Sequence, residues 1–241
     1  MSKVWLSAFL LIVSGAAFAA TEGEYDAPHN DVGDTESLQR GARYFVNYCL
    51  GCHSAQYVRY SRVAEDLGIG EQQLVENLMF TGERPFDTMQ NAMSAEDANR
   101  WFGVVPPDMS LLARSRGTDY IYSFLRSFYA SPERPTGVDN TVLPGTAMPH
   151  VLWELQGVQQ AVYTTDEAGN EHFERFVAGT PGQLTAAEYD DVVRDIVNFL
   201  DYMSEPMQLE RQAIGIRVIA FLLVFLVLAY MLKKEVWKDV K

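Results

Sequence analysis

The segment Cys49-Leu50-Gly51-Cys52-His53 constrains this chain more than any other, because Cys49 and Cys52 are the only cysteines in its 241 residues. Two thiols three positions apart, followed at once by an imidazole, form the C-x-x-C-H pattern that attaches a c-type haem. Each thiol can form a thioether with a haem vinyl group, and the histidine then lies against one haem face, where it can ligate iron. No further cysteine is left for a disulfide framework or a four-ligand zinc site. A thioredoxin-like dithiol expects a strand before the first cysteine. Here residues 36–48 place Leu38, Ala42, Phe45 and Val46 at helical spacing instead. Two cysteines that simply fill a core are the remaining alternative. The pattern predicts one covalently bound haem c, held by Cys49, Cys52 and His53.

Both ends of the chain carry apolar segments. Residues 1–20 have a basic start at Lys3, an apolar run over 4–13 and the small-residue sequence Ala17-Phe18-Ala19. This reads as a cleaved export signal; the run is short for a spanning helix. Near the other end, the 19 residues from Ile214 to Leu232 are apolar except for Arg217. As a helix they extend about 28 Å, close to the roughly 30 Å of a hydrocarbon core. Lys233, Lys234, Lys238 and Lys241 follow, which places the C-terminus in the cytoplasm. The expected partition is a signal peptide over 1–20, a periplasmic haem domain over 21–210, a membrane helix over 211–232 and a cytoplasmic tail over 233–241. The expected location is the bacterial inner membrane, in contact with lipid.

The charge is unevenly spread. Residues 20–210 hold 12 Arg and no Lys against 30 Asp plus Glu, a net charge of −18, whereas the whole chain carries −13. So acidic a domain excludes nucleic acid as a partner. It would steer a basic soluble protein toward its surface, or serve only solubility.

Along the exported part, 21–35 reads as polar and extended, 54–77 as partly helical and 83–101 as a polar stretch. Val104-Val105-Pro106-Pro107 must be extended, since proline removes donors and fixes φ. Residues 119–129 read as a helix, 136–149 as a long turn-rich loop, and 158–177 as a hairpin around 166–170. Thr185-Ala186-Ala187-Glu188 is a capping-box signature opening a helix that Pro206 ends. Together these predict a mainly α protein: one class-I-like cytochrome c domain with long loops, plus a C-terminal transmembrane helix.

A haem used for electron transfer normally keeps two protein ligands, and methionine opposite histidine raises the potential. Candidates are Met79, Met89, Met93, Met109, Met148, Met203, Met207, His29, His150 and His172. Met148 stands out in Pro144-Gly145-Thr146-Ala147-Met148-Pro149, where glycine permits close approach and proline stiffens the exit. Methionine is also common core filler. His150 is the nearest rival and is expected as an exposed loop residue. Arg114 and Arg116 offer guanidinium forks for the haem propionates, or are plain surface arginines.

Longer stretches carry a resemblance. Arg40-Gly41 with Phe45-Val46-Asn47-Tyr48-Cys49-Leu50, then Tyr57, Arg59 and Tyr60, and Pro106-Pro107-Asp108-Met109-Ser110 come first. Ala113-Arg114-Ser115-Arg116 with Asp119-Tyr120, Arg134-Pro135-Thr136-Gly137, Ala147-Met148-Pro149 and Asp195-Ile196-Val197-Asn198-Phe199-Leu200 with Tyr202, Glu205 and Pro206 follow in order. The chain resembles the cytochrome c1 family of bacterial cytochrome bc1 complexes over nearly its full length. The resemblance implies Met148 as the distal iron ligand, Pro107 at the haem, and one arginine of the 114–116 pair on a propionate. It further implies a redox subunit of quinol–cytochrome c oxidoreductase that binds no quinol itself. Its partners would be cytochrome b, the Rieske iron–sulfur protein as donor, and a soluble or membrane-bound cytochrome c as acceptor. Pro149-His150 replaces a proline run found in many relatives, and Phe102 stands where many have Asn, which bears on haem shielding. A free-standing anchored monohaem donor to an oxidase, or a haem sensor with an open iron position, would share the haem without these signatures.

Overall fold

The helix expected ahead of the cysteine pair begins where Asp34 caps it, its carboxylate accepting from Ser37 N at 3.1 Å. That satisfies one of the first turn's orphan donors. The computed structural model describes residues 25–167 and 169–239, so the expected export signal lies outside the described residues. Helix α1 (Thr35–Tyr44) buries Leu38, Gly41 and Ala42 and runs directly into a π-helical turn, Phe45–Cys49. There Leu50 N reaches back five residues to Phe45 O at 2.9 Å. Such single widened turns are rare and concentrate at functional positions. This one ends on the first residue of the C-x-x-C-H motif.

The chain continues through β1 (Ala55–Arg59), α2 (Tyr60–Asp66), α3 (Glu71–Asn77), β2 (Thr88–Met89) and α4 (Ala95–Phe102). Next come α5 (Leu112–Arg116), α6 (Thr118–Arg126), β3 (Phe128–Ala130), β4 (Val138–Asn140) and α7 (Trp153–Gln156). The last elements are β5 (Gly157–Thr165), β6 (Glu171–Pro181), α8 (Ala186–Ser204) and α9 (Gln208–Val236). The strands form three separate two-stranded antiparallel ribbons, β1–β2, β3–β4 and β5–β6. The architecture is that of a mainly helical cytochrome c domain followed by one long apolar helix.

Two elements refine the sequence reading. The stretch 54–77 is partly helical as expected, in α2 and α3, but 55–59 is extended, because Gln56 N and Tyr57 N are taken by Asp108 Oδ2 (2.9 Å) and Ser110 Oγ (3.1 Å) of a distant loop. The polar stretch 83–101 contains α4, capped by Ser94 and ended by Gly103 in the left-handed region at φ 72°. The expected hairpin is present, with β5 and β6 flanking 166–170. The capping box at Thr185 and Glu188 is formed in full.

The core is organised by α1 crossing α8. From α8, Val193, Ile196, Val197 and Phe199 are almost wholly buried, and Phe199 meets Phe45 with ring centroids 5.6 Å apart. A polar seam runs through this contact. Arg40 grips the buried Asp195 with both Nε (2.6 Å) and Nη2 (2.9 Å), while Ser37 Oγ donates to the same carboxylate at 2.7 Å. Asn198 then bridges Ser37 Oγ (3.0 Å) and Asp31 O (2.7 Å). A buried network with every member satisfied fixes one packing arrangement.

Gly41 permits this crossing: a Cβ there would lie 2.1 Å from Asp195 O and 2.7 Å from Phe199 Cβ. Backbone cannot yield that distance without separating the helices. Gly41→Ala is therefore expected to destabilise the domain by about 3 kcal/mol or more, measured as a lower midpoint in chemical denaturation. An unchanged midpoint would mean that α1 and α8 do not approach as described.

Candidate haem site

The site is assembled from the π-helical turn, the segment behind it and two loops. His53 N bonds Cys49 O at 2.9 Å and Cys52 N bonds the same carbonyl at 3.1 Å, so both cysteines and the histidine share one turn. Both cysteines are free thiols. Burial pushes the Cys49 thiol up to about 12, with a smaller contribution from Cys52, and burial also raises Cys52. A redox dithiol needs the opposite, a depressed thiol pKa. The dithiol reading has no support here.

The Pro-Pro loop clamps the turn from outside. Pro107 O accepts from His53 Nδ1 at 2.8 Å; a carbonyl can only accept, so Nδ1 carries the proton and Nε2 keeps its lone pair. This is how a metal-ligating imidazole is usually oriented. Burial lowers the His53 pKa, outweighing the Pro107 hydrogen bond and the nearby Asp108, which keeps the ring neutral. Met109 N bonds Ser54 O at 2.7 Å, and Asp108 ties Gln56 N and Ser110 N at 2.9 Å each. On the other side Asn91 donates to Cys52 O and to Ser54 Oγ. The motif is thus held by three separate segments.

Met148 is half-buried and packs against the same core as Cys49 and Leu112. Of the other candidate methionines on this side, Met79, Met89, Met109 and Met203 are buried in the core and Met207 is exposed, whereas Met93 is half-buried like Met148 but is not among the residues packed against that core. The loop that carries Met148 is anchored by two residues the sequence reading did not single out. Asp139 Oδ1 accepts from Gly145 N at 2.7 Å, and its other oxygen faces Arg134 Nε at 3.7 Å. Asn140, wholly buried, accepts from Val142 N (2.9 Å) and Leu143 N (3.1 Å) and donates to Phe124 O (2.8 Å). Gly145 takes φ 80°, and the Arg134 guanidinium lies 3.6 Å from where its Cβ would be. A loop of this kind has no periodic pattern, so only the clustered turn residues signalled it.

His150 corrects an expectation. It is buried, not exposed, and stacks flat on Phe128 with centroids 5.0 Å apart and planes 5° off parallel. Burial drives its pKa down to about 4. Phe128 in turn meets Phe124 edge-on (5.1 Å), and Phe124 stacks on Tyr120 (6.2 Å), where Arg116 sits over the ring at 5.7 Å. Arg116 is exposed and, among the described residues, has no carboxylate partner, whereas Arg114 pairs with Glu205 Oε2 at 3.4 Å.

The residues present fit a covalently held haem. Two unpaired thiols on one turn, an imidazole with a fixed free nitrogen, a thioether on a braced loop and half-buried Tyr48, Leu112, Tyr120 and Phe124 around the same core supply what such a group requires. Together with α9, long and apolar enough to cross a membrane with a mean hydropathy of 2.6 in its most apolar window, they define the class of membrane-anchored single-haem c-type cytochromes.

Comparison with known proteins agrees. The sequence profile described as the Cytochrome C1 family matches residues 27–168 and 181–240, leaving most of β6 outside it. A cytochrome c1 from Allochromatium vinosum is 50% identical over the full length of both chains. The ammonia monooxygenase gamma subunit of Nitrosomonas europaea is 42% identical over all of this chain and 99% of its own. The mitochondrial cytochrome c1 haem protein of Neurospora crassa is 29% identical over 86% of this chain and 64% of its own. The chain belongs to the cytochrome c1 family. It is an electron-transfer subunit of a bc1 complex, carries a covalently bound haem c and is anchored by its C-terminal helix.

Proposed function

We propose that this subunit takes electrons from the Rieske iron–sulfur protein and delivers them to a soluble or membrane-bound cytochrome c outside the inner membrane. The orientation of His53, with Nδ1 on Pro107 O and Nε2 free, carries this reading. Cys49 and Cys52 would hold the haem through thioethers, and His53 Nε2 and the Met148 sulfur would ligate its iron. When bound, the haem supplies a one-electron iron couple. The chain itself supplies ligands, burial and docking surface. Quinol oxidation belongs to cytochrome b and the Rieske protein, and α9 packs against cytochrome b. Residues 1–20 are the removed export signal, 21–210 the periplasmic domain, 211–232 the membrane crossing and 233–241 the cytoplasmic tail; Lys233 and Lys234 at the inner end fit that direction.

Arg116 is the propionate partner of the pair, since Arg114 is engaged by Glu205 while Arg116 projects beside the half-buried Tyr120. A cation beside the iron disfavours the ferric state, so Arg116→Gln should lower the reduction potential. The fall should be a few tens of millivolts, the equivalent of about 1 kcal/mol for a partly exposed ion pair. No fall in a redox titration removes Arg116 from the site.

The acceptor step is testable by rapid mixing. With residues 20–210 at −18, electron transfer to a basic cytochrome c should slow steeply as ionic strength rises and the Debye length drops below about 10 Å. A rate indifferent to salt would argue for a permanently bound acceptor.

A further inference from the structure

Only three residues, Glu205, Pro206 and Met207, link the end of α8 to the start of α9, and Pro206 prevents one continuous helix. Helix α9 buries none of its residues against the rest of the chain. Its direction relative to the haem domain therefore depends on what crosses the link. Glu205 is the centre of that crossing. Its backbone N is held by Asp201 O and Tyr202 O at 3.2 Å each, so its position belongs to the haem domain. Its side chain, 18% exposed, receives Arg114 from α5 at 3.4 Å on the domain side. From the membrane side Arg211, in the first turn of α9, grips both its oxygens, Nη2 lying 3.2 Å from Oε2. Met207 adds a weaker tie, its sulfur accepting from Arg62 Nη2 at 3.4 Å.

We infer that Arg114, Glu205 and Arg211 form a clasp that sets the tilt of the haem domain over its membrane helix, with Glu205 as a positioning residue for electron transfer. An isolated surface pair contributes little, but here a forked arginine and a second cation meet one shielded carboxylate, the geometry in which such networks hold. The hydrogen bond from Arg211 is the main cause holding the Glu205 carboxyl below the usual carboxylate range, so it is ionised at neutral pH. The clasp does not touch the iron ligands. It fixes where they are carried.

Haem tilt is read by electron paramagnetic resonance of the oxidised full-length protein in its complex, in membranes layered flat and rotated in the field. The native protein should give a c-haem signal that varies sharply with angle. Arg114→Gln, Arg211→Gln and Glu205→Gln should each flatten that variation and slow quinol-driven cytochrome c reduction, with the haem potential unchanged. If Glu205→Gln fails to accumulate, the two arginine variants decide alone. Angular variation preserved in Arg114→Gln and Arg211→Gln overturns the clasp. So does a fall in potential with tilt preserved in Arg114→Gln, which would instead assign that residue to the haem.

Discussion

Met148→Ala should abolish the far-red sulfur-to-iron charge-transfer band, let the reduced protein bind carbon monoxide, and lower the reduction potential. The fall should be on the order of 0.1–0.3 V, a fraction of the roughly 0.8 V that axial ligands span. The size of the effect follows from the loop rather than from the side chain alone. Asp139 and Asn140 brace residues 142–145 through backbone hydrogen bonds that do not involve Met148. The loop should therefore survive the truncation and leave an open iron position. His150 is poorly placed to replace the thioether, since its ring is stacked on Phe128 and buried. A spectrum and potential unchanged by the substitution would remove Met148 as ligand.

The second large effect concerns the two thiols. Mature protein, unfolded under reducing conditions, should show no titratable thiol, because Cys49 and Cys52 would both be thioethers. Replacing both with alanine should abolish haem that survives denaturation. It should also lower the amount of folded protein, since Tyr48, Leu112, Tyr120 and Phe124 are only half-buried against the core. Apolar cover contributes about 25 cal/mol per Å², so losing a haem from such a surface would cost several kcal/mol. Two reactive thiols in the unfolded native protein would contradict the attachment outright.

How far the fold could be read in advance follows from the kind of signal each part leaves. The capping box at Thr185, the apolar face of α8, Pro206 and the membrane helix are local patterns, and each is found where periodicity and caps place it. The C-x-x-C-H motif is likewise local. Helix α1 was legible but its π-helical end was not, because a single widened turn changes no residue spacing that hydrophobicity reports. β1 was missed because the bonds that extend it come from Asp108 and Ser110, more than fifty residues away. Asp139 and Asn140 were invisible for the same reason, since an Asp and an Asn in a polar loop look like ordinary turn formers until their acceptors are seen. His150 shows the converse error: its burial depends on the Phe128 face, which no local pattern supplies. Arg114 and Arg116, equivalent in sequence, are separated by their partners in the fold, Glu205 for Arg114 and the Tyr120 ring for Arg116.

The central claim is that this chain works as the haem c subunit of a bc1 complex, and one spectrum tests it most directly. The full-length protein, purified gently through a tag, should give a reduced-minus-oxidised difference spectrum with a c-type band accompanied by b-type bands. Added quinol should reduce the c-type band. A lone c-type band that quinol leaves untouched, in protein still folded and membrane-anchored, would contradict the account and favour a free-standing donor.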